Sequence, residues 1–236
     1  IDTIARSISG PLSARLGQPV VVENRPGAGE ALATELTTRA TPDGYTVIMA
    51  SAGVVVNPLL LNVRYDPLKD LAPVTQITRQ PYVLIVHPSV PAQNAKELLP
   101  WLKANAGKVN FASSGTGSFM HLTGELFKST TGTAMTHVAY KGMALAYPDL
   151  LAGQVQVGFP AIATAQPHLK TGKLRALGVT SKTRVPSLPD VPPLLESGVP
   201  GFVVEQWYGV WAPGGTPAAI VARLHREFST VTREPE

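Results

Sequence analysis

NFASSGTGSFMHL, residues 110–122, changes character twice within thirteen positions. An apolar, strand-like run around Val109 and Phe111 feeds a loop of Ser113, Ser114, Gly115, Thr116, Gly117 and Ser118. Helix-like spacing begins at Phe119. Strand, small-residue turn and helix form the repeating unit of an α/β fold. Hydroxyls and backbone N–H groups gathered at a helix N-terminus favour an anion. The loop has no carboxylate, cysteine or base, so it suits holding a negative group better than reacting with one.

The same alternation continues in both directions. Residues 2–17 place Ile4, Ile8, Leu12 and Leu16 four apart, with Asp2 as N-cap and Gly17 as the stop, and predict a helix. Strands are predicted at 19–22, 45–50, 74–78, 82–87, 108–112, 136–139, 154–159, 174–180 and 203–211. Helices are predicted at 28–40, 95–105, 118–130, 143–152, 161–171 and 217–232. The Pro- and Gly-punctuated segment 182–201 reads as an irregular connection. This order predicts mostly parallel sheets flanked by helices, with ligands at the carboxyl ends of strands. Two strand-like segments, 82–87 and 207–211, both run into a proline (Pro88, Pro213) and bracket a central block. Two lobes are therefore expected, 1–84 with 207–236 and 85–206, with those strands as hinges. A small-molecule cleft would lie at the lobe junction. One continuous sheet is the alternative.

Composition removes whole classes of function. Charged residues make up 15% of the 236, against about 25% in ordinary soluble domains. The net charge of +4 thus reflects scarce acids, and the 20 Lys and Arg are scattered without the run that marks a nucleic-acid binder. There are no cysteines, which excludes disulfides, thiolate metal sites and thiol nucleophiles. The five histidines are isolated in sequence, so no metal site is expected. No apolar run reaches the length of a membrane span, and no signal peptide is visible.

Two GxG pairs, Gly27-Ala28-Gly29 and Gly115-Thr116-Gly117, sit between a strand and a helix. Leu32 and Met120 stand where a dinucleotide fingerprint needs its third glycine, and neither pair has the acid about 20 residues on. No cofactor is expected. Ser118 and His121, three apart on one helix, could form a nucleophile and base. No G-x-S-x-G elbow or orienting acid accompanies them, and a serine at a helix start is most simply a cap. No catalytic residue is assigned. What remains is a set of small polar loops at strand ends: Ser51-Ala52-Gly53, the 113–118 loop, Tyr140-Lys141-Gly142, and Pro160-Ala161 with Thr164. Converging on one rim, they describe a receptor for a carboxylate.

The residues also carry a resemblance. LGQPVVVENRPGAG (16–29), PDGYTVIMASAG (42–53), NFASSGTGS (110–118), HVAYKG (137–142), DLLAGQVQVGF (149–159), LPDVPPLLESGVPG (188–201) and WYGVWAPGGTP (207–217) together resemble the Bug receptors, or TctC family. These are periplasmic solute-binding proteins of tripartite tricarboxylate transport systems. The resemblance implies a two-lobe Venus-flytrap fold, no enzymatic activity, and capture of a small carboxylate for delivery to membrane permease subunits. It implies that residues 114–118 hold the carboxylate while the 140–142 and 51–53 loops add wall. Relatives carry a signal peptide, a first strand and a Pro/Gly-rich loop ahead of the residue matching Asp2, and further elements after Glu236. The chain therefore reads as truncated at both ends. Many relatives also have an acid or amide after the residue matching Phe159, where this chain has Pro160. That difference favours a plain dicarboxylate or aromatic acid over an amino acid. A sensor input protein docking on a membrane signalling partner, and a serine hydrolase, are the alternative functions. A monomer is the default.

Overall fold

A computed structural model describes residues 1–27 and 30–233. In chain order the elements are α1 (Asp2–Leu16), α2 (Ala31–Thr38), β1 (Ile48–Ser51), α3 (Gly53–Leu60), β2 (Leu71–Pro81), β3 (Val83–Val86), α4 (Ala95–Ala104), β4 (Asn110–Ser113), α5 (Phe119–Thr131), β5 (Thr136–Ala139), α6 (Met143–Leu151), β6 (Val157–Gly158), α7 (Ile162–Lys170), β7 (Arg175–Val179), β8 (Glu205–Pro213) and α8 (Ala218–Val231). The chain divides into two compact units. One is Ile1–Arg79 with Trp207–Glu236; the other is Gln80–Gln206.

The first unit holds a three-stranded sheet in the order β1-β8-β2, with β1 antiparallel to β8 and Ser51 opposite Tyr208. Alternate residues of its strands feed opposite faces. Met49, Val74, Val210 and Ala212 pack with Ile8, Leu12, Leu224 and Phe228 of α1 and α8. Ile48, Ala50 and Trp211 pack instead with Val54 of α3. Arg15 and Glu227 clamp α1 to α8 through a 2.9 Å ion pair. Asp2 is not the cap of α1: it lies inside the first turn, bonded to Arg6 at 2.9 Å and to Asn24 at 2.8 Å.

Residues 19–22 form no strand. They have no ladder partner among the described residues, and the Val20 amide donates to Ser13 Oγ at 2.9 Å instead. Apolar patterning alone cannot supply a neighbouring strand. Conversely, α3 forms from GVVVNPLL, a β-branched run with an internal proline. Pro58 has no N–H for the Val54 carbonyl one turn back. The Tyr65 hydroxyl donates to that carbonyl at 3.1 Å and replaces the missing bond. Burial of Val54 and Asn57 supplies the rest.

The second unit holds a five-stranded sheet in the order β5-β4-β6-β3-β7. β5, β4 and β6 run parallel, and β3 runs antiparallel to both β6 and β7. The sheet is thus mixed: β3 opposes four strands that share one direction. Both faces are covered, so β3 reads VLIV without alternation, as a doubly covered strand should. Leu84 and Val86 join Leu98, Leu102, Phe111, Phe127 and Phe159 under α4 and α5. Val83 and Ile85 join Met143, Leu150, Ile162 and Ala165 under α6 and α7. The carboxyl ends of β4, β5 and β6 therefore share one rim, beside the start of β3.

Candidate functional site

Each loop on that rim is locked to the strand below it. Ser113 ends β4 fully buried. Its Oγ lies 2.6 Å from His137 Nε2, accepts the Gly115 amide at 3.1 Å, and reaches the Gly115 carbonyl at 3.1 Å. Gly115 and Gly117 have φ of 130° and 79°, a region that side chains disfavour. The Ser118 amide donates to the Gly115 carbonyl at 3.1 Å and closes the turn. Ser118 then caps α5, its Oγ accepting the His121 amide at 3.3 Å.

This leaves donors facing out. Among the described residues, no hydrogen bond occupies the hydroxyls of Ser114 or Thr116, and Ser118 Oγ only accepts. The first two amides of α5, on Phe119 and Met120, have no intrahelical acceptor. The thirteen-residue helix adds its positive end. On the neighbouring β5–α6 loop, Lys141 is exposed, with no carboxylate partner among the described residues. The Tyr140 amide ties this loop to β4 by donating to the Ser113 carbonyl at 3.1 Å.

Other hydroxyls in these loops are spent inward. The Tyr140 hydroxyl donates to Asp149 Oδ2 at 2.6 Å; burial and that carboxylate push it up to about 12. Thr164 Oγ1 donates to the Ala161 carbonyl at 2.9 Å and accepts from the Tyr147 hydroxyl at 3.0 Å, which fixes the first turn of α7. Pro160 is buried and its carbonyl accepts the Val83 amide at 3.0 Å, stitching the β6–α7 loop to β3. Ala161 is the N-cap of α7, and Gly142, at φ 133°, is that of α6. Ser51 and Ala52 lie in the first unit, at the end of β1 and the start of α3. Ser51 Oγ accepts the Gly53 amide at 3.2 Å.

Three features escape a reading of the sequence. His121 and His137 stack beneath the 114–118 loop, with ring centroids 3.9 Å apart. Burial, then His121 and Lys128 nearby, hold His137 below its usual value, against the pull of Glu125. Tyr82, at the start of β3, packs edge-on against Phe119 at 5.3 Å. In the first unit, Glu30 caps α2 with φ 81°, and its carboxylate accepts the Ser51 amide at 2.8 Å. Burial pushes that carboxyl up, while the Ser51 amide pulls the other way. Gly27 precedes it with φ 148°; Ala28 and Gly29, where the sequence predicts a tight turn, lie outside the described residues.

Among the described residues neither a dyad nor a metal centre is assembled. His121 Nδ1 accepts the Gly117 amide at 3.1 Å and does not bond Ser118 Oγ. Among the described residues, no three His, Asp or Glu gather to hold a metal, and no helix is long and apolar enough to cross a membrane.

Residues 4–236 match the tripartite tricarboxylate transporter family receptor, TctC. The chain belongs to this family. It is 37% identical over 231 residues to the protein BugT of Bordetella pertussis, covering 97% of this chain and 71% of BugT. Two solved TctC-like structures from Rhodopseudomonas palustris superpose on it. Rpa4515 with adipate does so with a TM-score of 0.82 at 35% identity, over 97% of this chain and 77% of that one. MatC with bound malate gives 0.82 at 34%, over 99% and 80%. TctC members are solute-binding proteins, not enzymes, and the two-lobe α/β fold is theirs.

Proposed function

We propose that this TctC-family chain is a periplasmic receptor that takes a small carboxylate on the 114–118 loop and delivers it to the membrane subunits of a tripartite tricarboxylate transporter. The observation that carries the reading is the set of three hydroxyls left without an internal acceptor, on Ser114, Thr116 and Ser118, at the positive end of α5. A carboxylate offers four acceptor positions, which these hydroxyls and the Phe119 and Met120 amides complement. Lys141 adds a counter-charge on the adjoining loop. The adipate and malate in the two related structures are of the same chemical class. Tyr140, Gly142, Pro160, Ala161 and Thr164 would shape the rim and not donate to the solute.

The test is calorimetric titration with adipate and malate. Ser118→Ala should weaken binding by about 1.5–3 kcal/mol, the worth of a hydrogen bond to a charged group. Unchanged affinity would remove Ser118 from the site. Hydrolysis of ester substrates lost in the same variant would replace the receptor reading with an enzymatic one.

A further inference from the structure

The loop assigned to the carboxylate rests on two imidazoles, each bonded to a different point of it. His121 Nδ1 accepts the Gly117 amide at 3.1 Å. His137 Nε2 meets Ser113 Oγ at 2.6 Å, and that oxygen in turn accepts the Gly115 amide. The rings stack at 3.9 Å and 22°, and Phe111 lies 5.0 Å beyond His137. Gly115 and Gly117 are the two positions where the loop needs a left-handed backbone. Each depends on a bond that ends on this pair.

We propose that His121 and His137 are positioning residues for the 114–118 loop, and that protonation of His121 releases Gly117 and lowers affinity for the solute. The inference rests on the carboxylate reading of that loop. An imidazole nitrogen accepts a hydrogen bond only while unprotonated. A proton on His121 Nδ1 sets N–H against N–H at 3.1 Å, so the Gly117 amide must turn away. It also places a cation within stacking distance of His137.

The charged neighbours come from two elements. Glu125, one turn along α5, lies 3.8 Å from His121 Nε2. Lys128 binds Glu125 at 2.8 Å and sits 5.7 Å over the Phe111 ring. His137 faces His121 from β5, while β4 contributes only the uncharged Phe111 and Ser113. A protonated His121 would also attract an anion. The proposal states that loss of loop geometry outweighs that attraction, and the sign of the pH effect decides the matter.

The experiment has a ligand-free arm and a binding arm. Hydrogen exchange of the Gly117 amide, expressed as a protection factor, is followed from pH 7.5 to 5.5, together with the nitrogen shifts of His121. Protection should fall toward pH 5.5. In His121→Asn, whose side-chain oxygen can accept the same amide without titrating, it should stay level. Affinity for adipate and malate should fall about three- to tenfold further over that range in the natural protein than in His121→Asn, the worth of one net hydrogen bond; the variant reads the part that comes from protonation of the acids themselves. Protection that ignores the histidine titration overturns the proposal. So does affinity that is constant or rises toward pH 5.5. A protection switch with neither acid bound at any pH would uphold the positioning role and sink the carboxylate reading, so the two failures are distinct.

Discussion

Glu30 shows how a single residue can pull against its own backbone. A φ of 81° costs a side chain of this kind about 1–2 kcal/mol. Its carboxylate's bond to the Ser51 amide is of the type worth about 1.5–3 kcal/mol, enough to hold the conformation. Burial then adds a pH dependence. The folded-state carboxyl titrates above its ordinary value of 4.5, so the native protein holds that proton more tightly than the unfolded chain. This contribution is complete below 4.5 and is lost as pH rises through the folded value. Glu30→Gln keeps an acceptor for the Ser51 amide but has no such slope. Its melting temperature should gain on that of the natural protein between pH 4.5 and 7.5, and parallel curves would show that burial does not shift Glu30. Nothing in the sequence announces this residue, because a left-handed turn is ordinarily signalled by glycine or asparagine. The turn that holds Ser114, Thr116 and Ser118 was legible for the opposite reason: hydroxyls alternating with two glycines between a strand and a helix have a local signature. The inward bonds of Tyr140 and Thr164 were not, since Asp149 and Tyr147 come from another turn or another helix.

At the scale of elements, α5 lies on β4 through one glycine. A methyl group at Gly124 would stand 2.3 Å from the Phe111 ring. That ring is fully buried and stacked on His137, so it has nowhere to retreat. Gly124→Ala sets a helix-propensity gain of about 1 kcal/mol against an overpacking cost of about 1–3 kcal/mol. The net effect should be destabilising, by up to about 2 kcal/mol, and a chain of this size should melt several degrees lower. An unchanged melting temperature would mean that α5 slides freely over β4. The helix itself was readable from its cap and its spacing; the packing role of Gly124 was not, because helical periodicity does not say which strand residue lies opposite. The same limit explains α3, where Tyr65 and the core overrule a β-branched, proline-containing run, and residues 19–22, where strand-like text has no neighbour to pair with.

Across the whole molecule, each unit carries its own cores, and the 114–118 loop belongs entirely to Gln80–Gln206. A solute bound there stabilises the native state by mass action, about 2.7 kcal/mol at a hundredfold excess over Kd. The effect should be largest in the transition that unfolds this second unit. Which acids produce it depends on what the rim lacks. Phe159 is buried in the core, the Pro160 carbonyl is engaged by the Val83 amide, and Ala161 offers only a methyl group. Among the described residues no carboxylate stands at that turn to receive an ammonium group, and Lys141, on the β5–α6 loop of the same rim, carries a like charge. An amino acid would therefore lose the hydration of its ammonium without gaining a partner. In thermal-shift titrations at pH 7.5, succinate, adipate or phthalate should raise the melting temperature at lower concentration than aspartate or glutamate. Tighter binding of the amino acids would mean that an acceptor outside this rim reads the ammonium group.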